Sequence, residues 1–66
     1  MPTIRIEMFS GRTLEQKRRL VHLVTDAVVE ALGVEPKVVQ IKIFEAEKYN
    51  FARAGVLRSD EEESSK

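Results

Sequence analysis

One residue at the start of this chain has an unusual chemical option. Pro2 follows Met1 directly. A methionine before a small residue such as proline is normally removed, which would leave Pro2 as the amino terminus. An N-terminal proline is a secondary amine, a good base that can also act as a nucleophile. In a partly apolar pocket such an amine loses solvation of its charged form, and its pKa falls. A base poised near neutral pH is what general acid–base catalysis requires. Taken by itself the dipeptide also fits a plainer role, because proline rigidifies the start of a strand. Few other residues compete for chemistry. With no Cys there is no thiol nucleophile, no disulfide and no Cys/His zinc cluster. There is no Gly-rich phosphate loop, no Ser-His-Asp set and no pair of carboxylates at a telling spacing. His22, the single His, falls between Arg18 and Asp26 on the polar side of a predicted helix, where a solvated surface role is expected.

The elements that must position these residues follow from periodicity. Thr3 to Phe9 alternates, with Ile4, Ile6 and Met8 on one side and Arg5 and Glu7 on the other. That is the period of a half-buried strand. Ser10-Gly11 signals a turn. Thr13 stands three residues before Gln16, the spacing of a capping box. From Leu14 onward, Leu20, Leu23, Val24, Ala27, Val28, Ala31 and Leu32 recur at helical spacing. Glu15 and Arg19 form an i,i+4 pair in the favourable order. Gly33 is placed to stop the helix, and Pro36 discourages a restart. Val38 to Glu45 reads as a second strand, with Val38 and Phe44 on a face that a monomer leaves uncovered. Residues 46–55 read as irregular, and Val56-Leu57 as a short edge strand or hairpin. The fold class is α/β: a β-α-β unit with parallel strands, one long helix, and a small C-terminal hairpin or edge strand. Residues 1–58 form the single domain, and 59–66 read as an acidic, disordered tail.

Size and charge set the surroundings. A chain of 66 residues makes one domain at most. A lone core of this size rarely supplies more than ~3–5 kcal/mol, so small scaffolds usually need a staple. Without Cys, self-association is the staple left, and open sheet edges favour it. The net charge of zero hides a split. Residues 60–66 hold four acids and one base, leaving ten bases against seven acids, a net of +3, in residues 1–59. That suits a site for small anions but is too weak for a nucleic-acid binder. No apolar run approaches the ~20 residues of a membrane span. The first residues lack the apolar region of a signal peptide, so a cytoplasmic location is expected.

Several features coincide. Pro2 opens a strand, and Gly11-Arg12 sits at its far end. Thr13-Leu14-Glu15-Gln16-Lys17 opens a helix, and Phe51 follows the second strand. Together, over residues 2 to about 57, they give a chain that resembles the 4-oxalocrotonate tautomerase family. The resemblance implies a cofactor-independent, metal-free isomerase that moves a proton between enol and keto forms of small 2-hydroxy- or 2-oxo-carboxylates, as in aromatic-compound degradation. It implies Pro2 as general base, Arg12 as the group that engages a substrate carboxylate, and Phe51 as a wall of the pocket. A guanidinium offers a planar fork suited to a carboxylate. The resemblance also implies a homo-hexamer, a trimer of dimers, with sites near subunit boundaries.

The chain departs from the family at Gln40 and in the segment after the aromatic, which is usually Gly-rich and here reads Ala52-Arg53-Ala54-Gly55. The second functional arginine aligns with Gln40, which can donate a hydrogen bond but brings no charge. Stabilisation of a developing oxyanion should be weaker without a cation. Arg53, close in sequence to Phe51, is a candidate replacement for that charge. Two rival readings stay open, the first of them motivated by Gln40. One is a non-catalytic or partner-dependent subunit of a hetero-hexamer. The other is a dehalogenase or hydratase on the same scaffold, which needs a further carboxylate to activate water. Glu7 and Glu45 are the candidates for that role, though the alternation makes both ordinary solvent-facing strand residues.

Overall fold

The computed structural model describes residues 1–64, with side chains through Glu61. Strand β1 runs Thr3–Phe9, helix α1 Leu14–Leu32 and strand β2 Gln40–Ala46. The two strands pair in parallel, from Thr3 opposite Gln40 to Phe9 opposite Ala46. That register sends Ile4, Ile6 and Met8 to the same face as Ile41 and Ile43, against α1. Glu45 shares this face and meets Lys17 of α1 at 2.7 Å. The opposite face carries Arg5, Glu7, Lys42 and Phe44, with the Arg5 guanidinium 4.0 Å from the Phe44 ring centroid.

Helix α1 begins and ends where local chemistry says it should. The Thr13 side chain accepts from Gln16 N, and Gln16 Oε1 accepts from Thr13 N, so both halves of the capping box form. Gly33 takes a left-handed conformation at φ 68°, and its N–H closes on Val29 O. One expected pair is different: Glu15 meets Arg18 at i,i+3 rather than Arg19. Both spacings bring side chains together on a helix surface, so sequence alone does not choose between them.

The second strand starts later than the alternation suggested. Pro36–Val38 form a 3-10 turn, with Val38 N donating to Glu35 O and Val39 N to Pro36 O. Proline's fixed φ suits the first position of such a turn. Val38 therefore lies outside β2 and is half-buried rather than uncovered. After β2, Lys48–Asn50 form another 3-10 turn. Strands β3 (Ala52–Arg53) and β4 (Val56–Leu57) then make the expected C-terminal hairpin through a two-residue loop, with β3 inside the stretch that reads as irregular. Both loop residues have positive φ, 55° at Ala54 and 78° at Gly55. That is the I′ class, whose twist matches the strands it joins.

Residues Arg58–Ser64, at the acidic end, form helix α2. Asp60 and Glu61 sit in its first turn, where acids complement the helix dipole. Arg58 N donates to Phe51 O at 2.8 Å and ties the helix to the hairpin. Residues 65–66 lie outside the described residues.

A single chain does not close a core. Among the described residues none is buried, and Leu14, Leu23, Leu32, Tyr49 and Val56 are all substantially exposed. The radius of gyration is 15.7 Å, whereas a compact chain of this length should have about 11 Å. The apolar surface that assembly would cover is thus visible in one copy. Among the described residues, no helix is long and apolar enough to cross a membrane.

Candidate active site

Pro2 lies just before β1 and is half-buried. Its carbonyl accepts from Gln40 N at 3.0 Å, because the register sets Thr3 opposite Gln40. Pro2 and Gln40 are therefore neighbours at one end of the sheet. Met1, whose carbonyl acylates the Pro2 nitrogen, is 83% exposed and open to removal.

The other candidates gather at the opposite end. A cleft of ≈ 790 Å³ opens there, lined among others by Arg12, Phe51 and Arg53. Strand β1 separates the two ends; its seven residues span about 23 Å at ~3.3 Å each. Within one chain, then, Arg12, Phe51 and Arg53 come together, Pro2 and Gln40 come together, and the two groups stay apart.

The cleft has a consistent chemical character. Phe9 and Phe51 meet edge to face, with ring centroids 5.6 Å apart and planes at 78°. This contact pins the segment after β2 to the end of β1, and with Phe44 it gives the cleft apolar walls. Four cations line it: Arg12, Lys48, Arg53 and Arg58. Its two acids are engaged by cations from outside the lining. Glu7 pairs with Arg5 at 3.6 Å and Glu45 with Lys17 at 2.7 Å. Among the described residues, no acid pairs with Arg12. The cleft thus offers positive charge beside aromatic surface, which suits a small organic anion.

Arg58, Lys48 and Phe9 belong to the cleft but were not singled out from the sequence. Arg58 reaches it because the hairpin folds back and its N–H bonds Phe51 O. Only the short spacing between Phe51 and the hairpin strands hinted at that return. His22 stays at the surface beside Asp26, 3.3 Å away and far along α1 from the cleft.

The chain as a whole is similar to known proteins. A family model described as "Tautomerase enzyme" matches residues 2–61. The chain is 44% identical over 62 residues to 2-hydroxymuconate tautomerase of Bacillus subtilis, covering 94% of this chain and 100% of that protein. The solved structure of a 4-oxalocrotonate tautomerase isozyme from Methylibium petroleiphilum is 38% identical and superposes with a TM-score of 0.89, covering 96% of this chain and 98% of that one. A heterohexamer 4-oxalocrotonate tautomerase from Chloroflexus aurantiacus is 28% identical with a TM-score of 0.83, covering 91% of this chain and 97% of that one.

Proposed function

This chain belongs to the tautomerase family, and from that premise we propose that it interconverts enol and keto forms of a small 2-hydroxy- or 2-oxo-carboxylate, with Pro2 as the base and no cofactor. It is a tautomerase; the substrate and the residue roles are the proposed part. The full-length relationship to a 2-hydroxymuconate tautomerase carries the reading. The cleft supports it, with Arg12, which has no acidic partner among the described residues, beside aromatic walls.

In this mechanism Met1 is removed and the Pro2 amine is free. The amine takes the proton of the substrate's enol hydroxyl. Electron density moves from that oxygen into the conjugated carbons, forming the C=O bond. The protonated amine then returns the proton to carbon, so base becomes acid and no group is lost. Arg12 holds the carboxylate through its planar fork. Phe51 lowers the local dielectric, which favours a neutral amine. Gln40, beside Pro2, donates a hydrogen bond to the carbonyl oxygen, and Arg53 supplies charge in place of an arginine at position 40. The separation of Pro2 from Arg12 along β1 requires that the two meet between copies of the chain. The exposed apolar surface is consistent with that assembly, and a homo-hexamer is the proposed form.

The decisive experiment is a ketonisation assay with 2-hydroxymuconate, comparing the Met-processed protein with Pro2→Ala. Intact-protein mass spectrometry confirms removal of Met1. A rate loss of about 10²–10⁴-fold is the range for a general base. Equal rates in the two proteins would sink the role of Pro2.

Gln40 beside Pro2 favours one second reading, a subunit whose partner chain supplies the missing cation. Native mass spectrometry with activity of the isolated chain separates the two, because an active homo-oligomer excludes this alternative. The hydratase or dehalogenase reading has less support, since Glu7 and Glu45 are both already paired with cations.

A further inference from the structure

Strand β2 turns Ile41, Ile43 and Glu45 toward α1, so an acid holds a position where the alternation calls for a third apolar residue. Its partner is Lys17, near the start of α1, with Nζ 2.7 Å from Glu45 Oε1. The two side chains are only 28% and 30% exposed, whereas those of the Glu15–Arg18 and His22–Asp26 pairs on α1 are at least 63% exposed. Among the described residues, neither Lys17 nor Glu45 has another charged partner. The pair also adjoins Arg12. Glu45 lines the active-site cleft with Met8 and Arg12, and Lys17 lines a smaller cavity of ≈ 210 Å³ with the same Met8 and Arg12. Arg12 therefore borders both spaces, yet no acid among the described residues pairs with it.

A carboxylate largely withdrawn from water needs a cation, because an unpaired charge in that setting is costly. Arg12 is the cation other than Lys17 that borders the smaller cavity, and it shares the cleft with Glu45. Resting on the reading that Arg12 binds the substrate's carboxylate, we propose that Lys17 is a positioning residue for that arginine. By holding Glu45 it keeps the acid off Arg12 and leaves the guanidinium to the substrate. Without the Lys17 charge, Glu45 has two options. It pairs with Arg12 and competes with the substrate, or it stands in the cleft as a bare anion and repels the substrate. Either one weakens binding of a carboxylate, and Lys17 has this effect without touching the ligand.

The test uses two unreactive probes, hexanoate and hexanamide, which share a tail but differ in charge. They are titrated by NMR into the full-length, Met-processed protein. Hexanoate should bind the wild type more tightly than hexanamide, and Arg12→Gln should remove that preference. Lys17→Met keeps an unbranched stem in the cavity and removes the charge. It should weaken hexanoate about two- to fivefold, the span for a partly exposed ion pair between Glu45 and Arg12, and leave hexanamide unchanged. Adding Glu45→Gln to Lys17→Met should restore the wild-type affinity for hexanoate, and Glu45→Gln alone should not weaken it. A bridge that only fastens α1 to β2 predicts otherwise, since all three variants break it alike and the double variant would stay weak. An unchanged hexanoate affinity in Lys17→Met, a loss in Glu45→Gln, or no rescue in the double variant would each overturn the proposal. If Lys17→Met does not fold, Glu45→Gln decides by itself. A hexanoate preference that survives Arg12→Gln would remove the role of Arg12 and this proposal with it, whereas Arg12 dependence without the Lys17 effect would remove only the role of Lys17. Neither probe reacts, so these outcomes are independent of the Pro2→Ala assay.

Discussion

Mixing two inactive variants tests whether Pro2 and Arg12 act across copies. They lie at opposite ends of β1, about 23 Å apart along the strand at ~3.3 Å per residue. No short-chain substrate bridges that span, so a site using both residues takes them from different copies. The perturbation is a pair of chains, Pro2→Ala and Arg12→Ala. The first should lose about 10²–10⁴-fold as a missing general base. Arg12 is exposed and has no acidic partner among the described residues, so its removal strands no buried charge. Its cost falls on the substrate: a hydrogen bond to a charged group is worth about 1.5–3 kcal/mol, roughly 10- to 150-fold in kcat/KM. The two chains are then denatured together in equal amounts and refolded. In a closed oligomer with random assortment, about one site in four pairs an intact Pro2 with an intact Arg12 from another copy. Activity should therefore recover to roughly a quarter of wild type, well above either parent. If the mixture shows only the average of its parents, the two residues do not meet between chains, and the inference from strand length is wrong.

Two further outcomes concern stability. Because no described residue is buried in a single chain, stability should depend on protomer concentration. Thermal melts by circular dichroism should shift to lower temperature on dilution, and a midpoint independent of concentration would contradict this. Ala54 holds φ 55° in the β3–β4 turn, a conformation that favours glycine. Ala54→Gly should raise stability by about 0.5–1 kcal/mol in urea unfolding with kcat unchanged, and a loss of stability would contradict the turn assignment.

Local features were the legible part of this fold. Alternation at Ile4, Ile6 and Met8, the Thr13–Gln16 box and the Gly33 stop each depend on residues a few positions apart, and all three appear as read. The misreadings share one cause, competition settled by neighbours in space. Val38 alternates like a strand residue, but Pro36 draws it into a 3-10 turn. Glu15 reads as pairing with Arg19, but the folded helix surface sets it against Arg18.

The same division holds for the site. Pro2 as a potential amine terminus, the scarcity of other chemistry and the need for assembly were all determined by residue types and chain length. Those properties are composition and covalent order, and no fold is required to see them. Which residues share a cleft was decided only by tertiary structure. Parallel pairing of Phe9 with Ala46 sets the end of β1 beside the segment that leads to Phe51. The hairpin then returns Arg58 to Arg53, and α2 delivers Glu61 between them. The same register sets Gln40 beside Pro2 and leaves both a strand's length from Arg12. Register and turn geometry are long-range choices among near-equivalent pairings, and only the folded chain makes them.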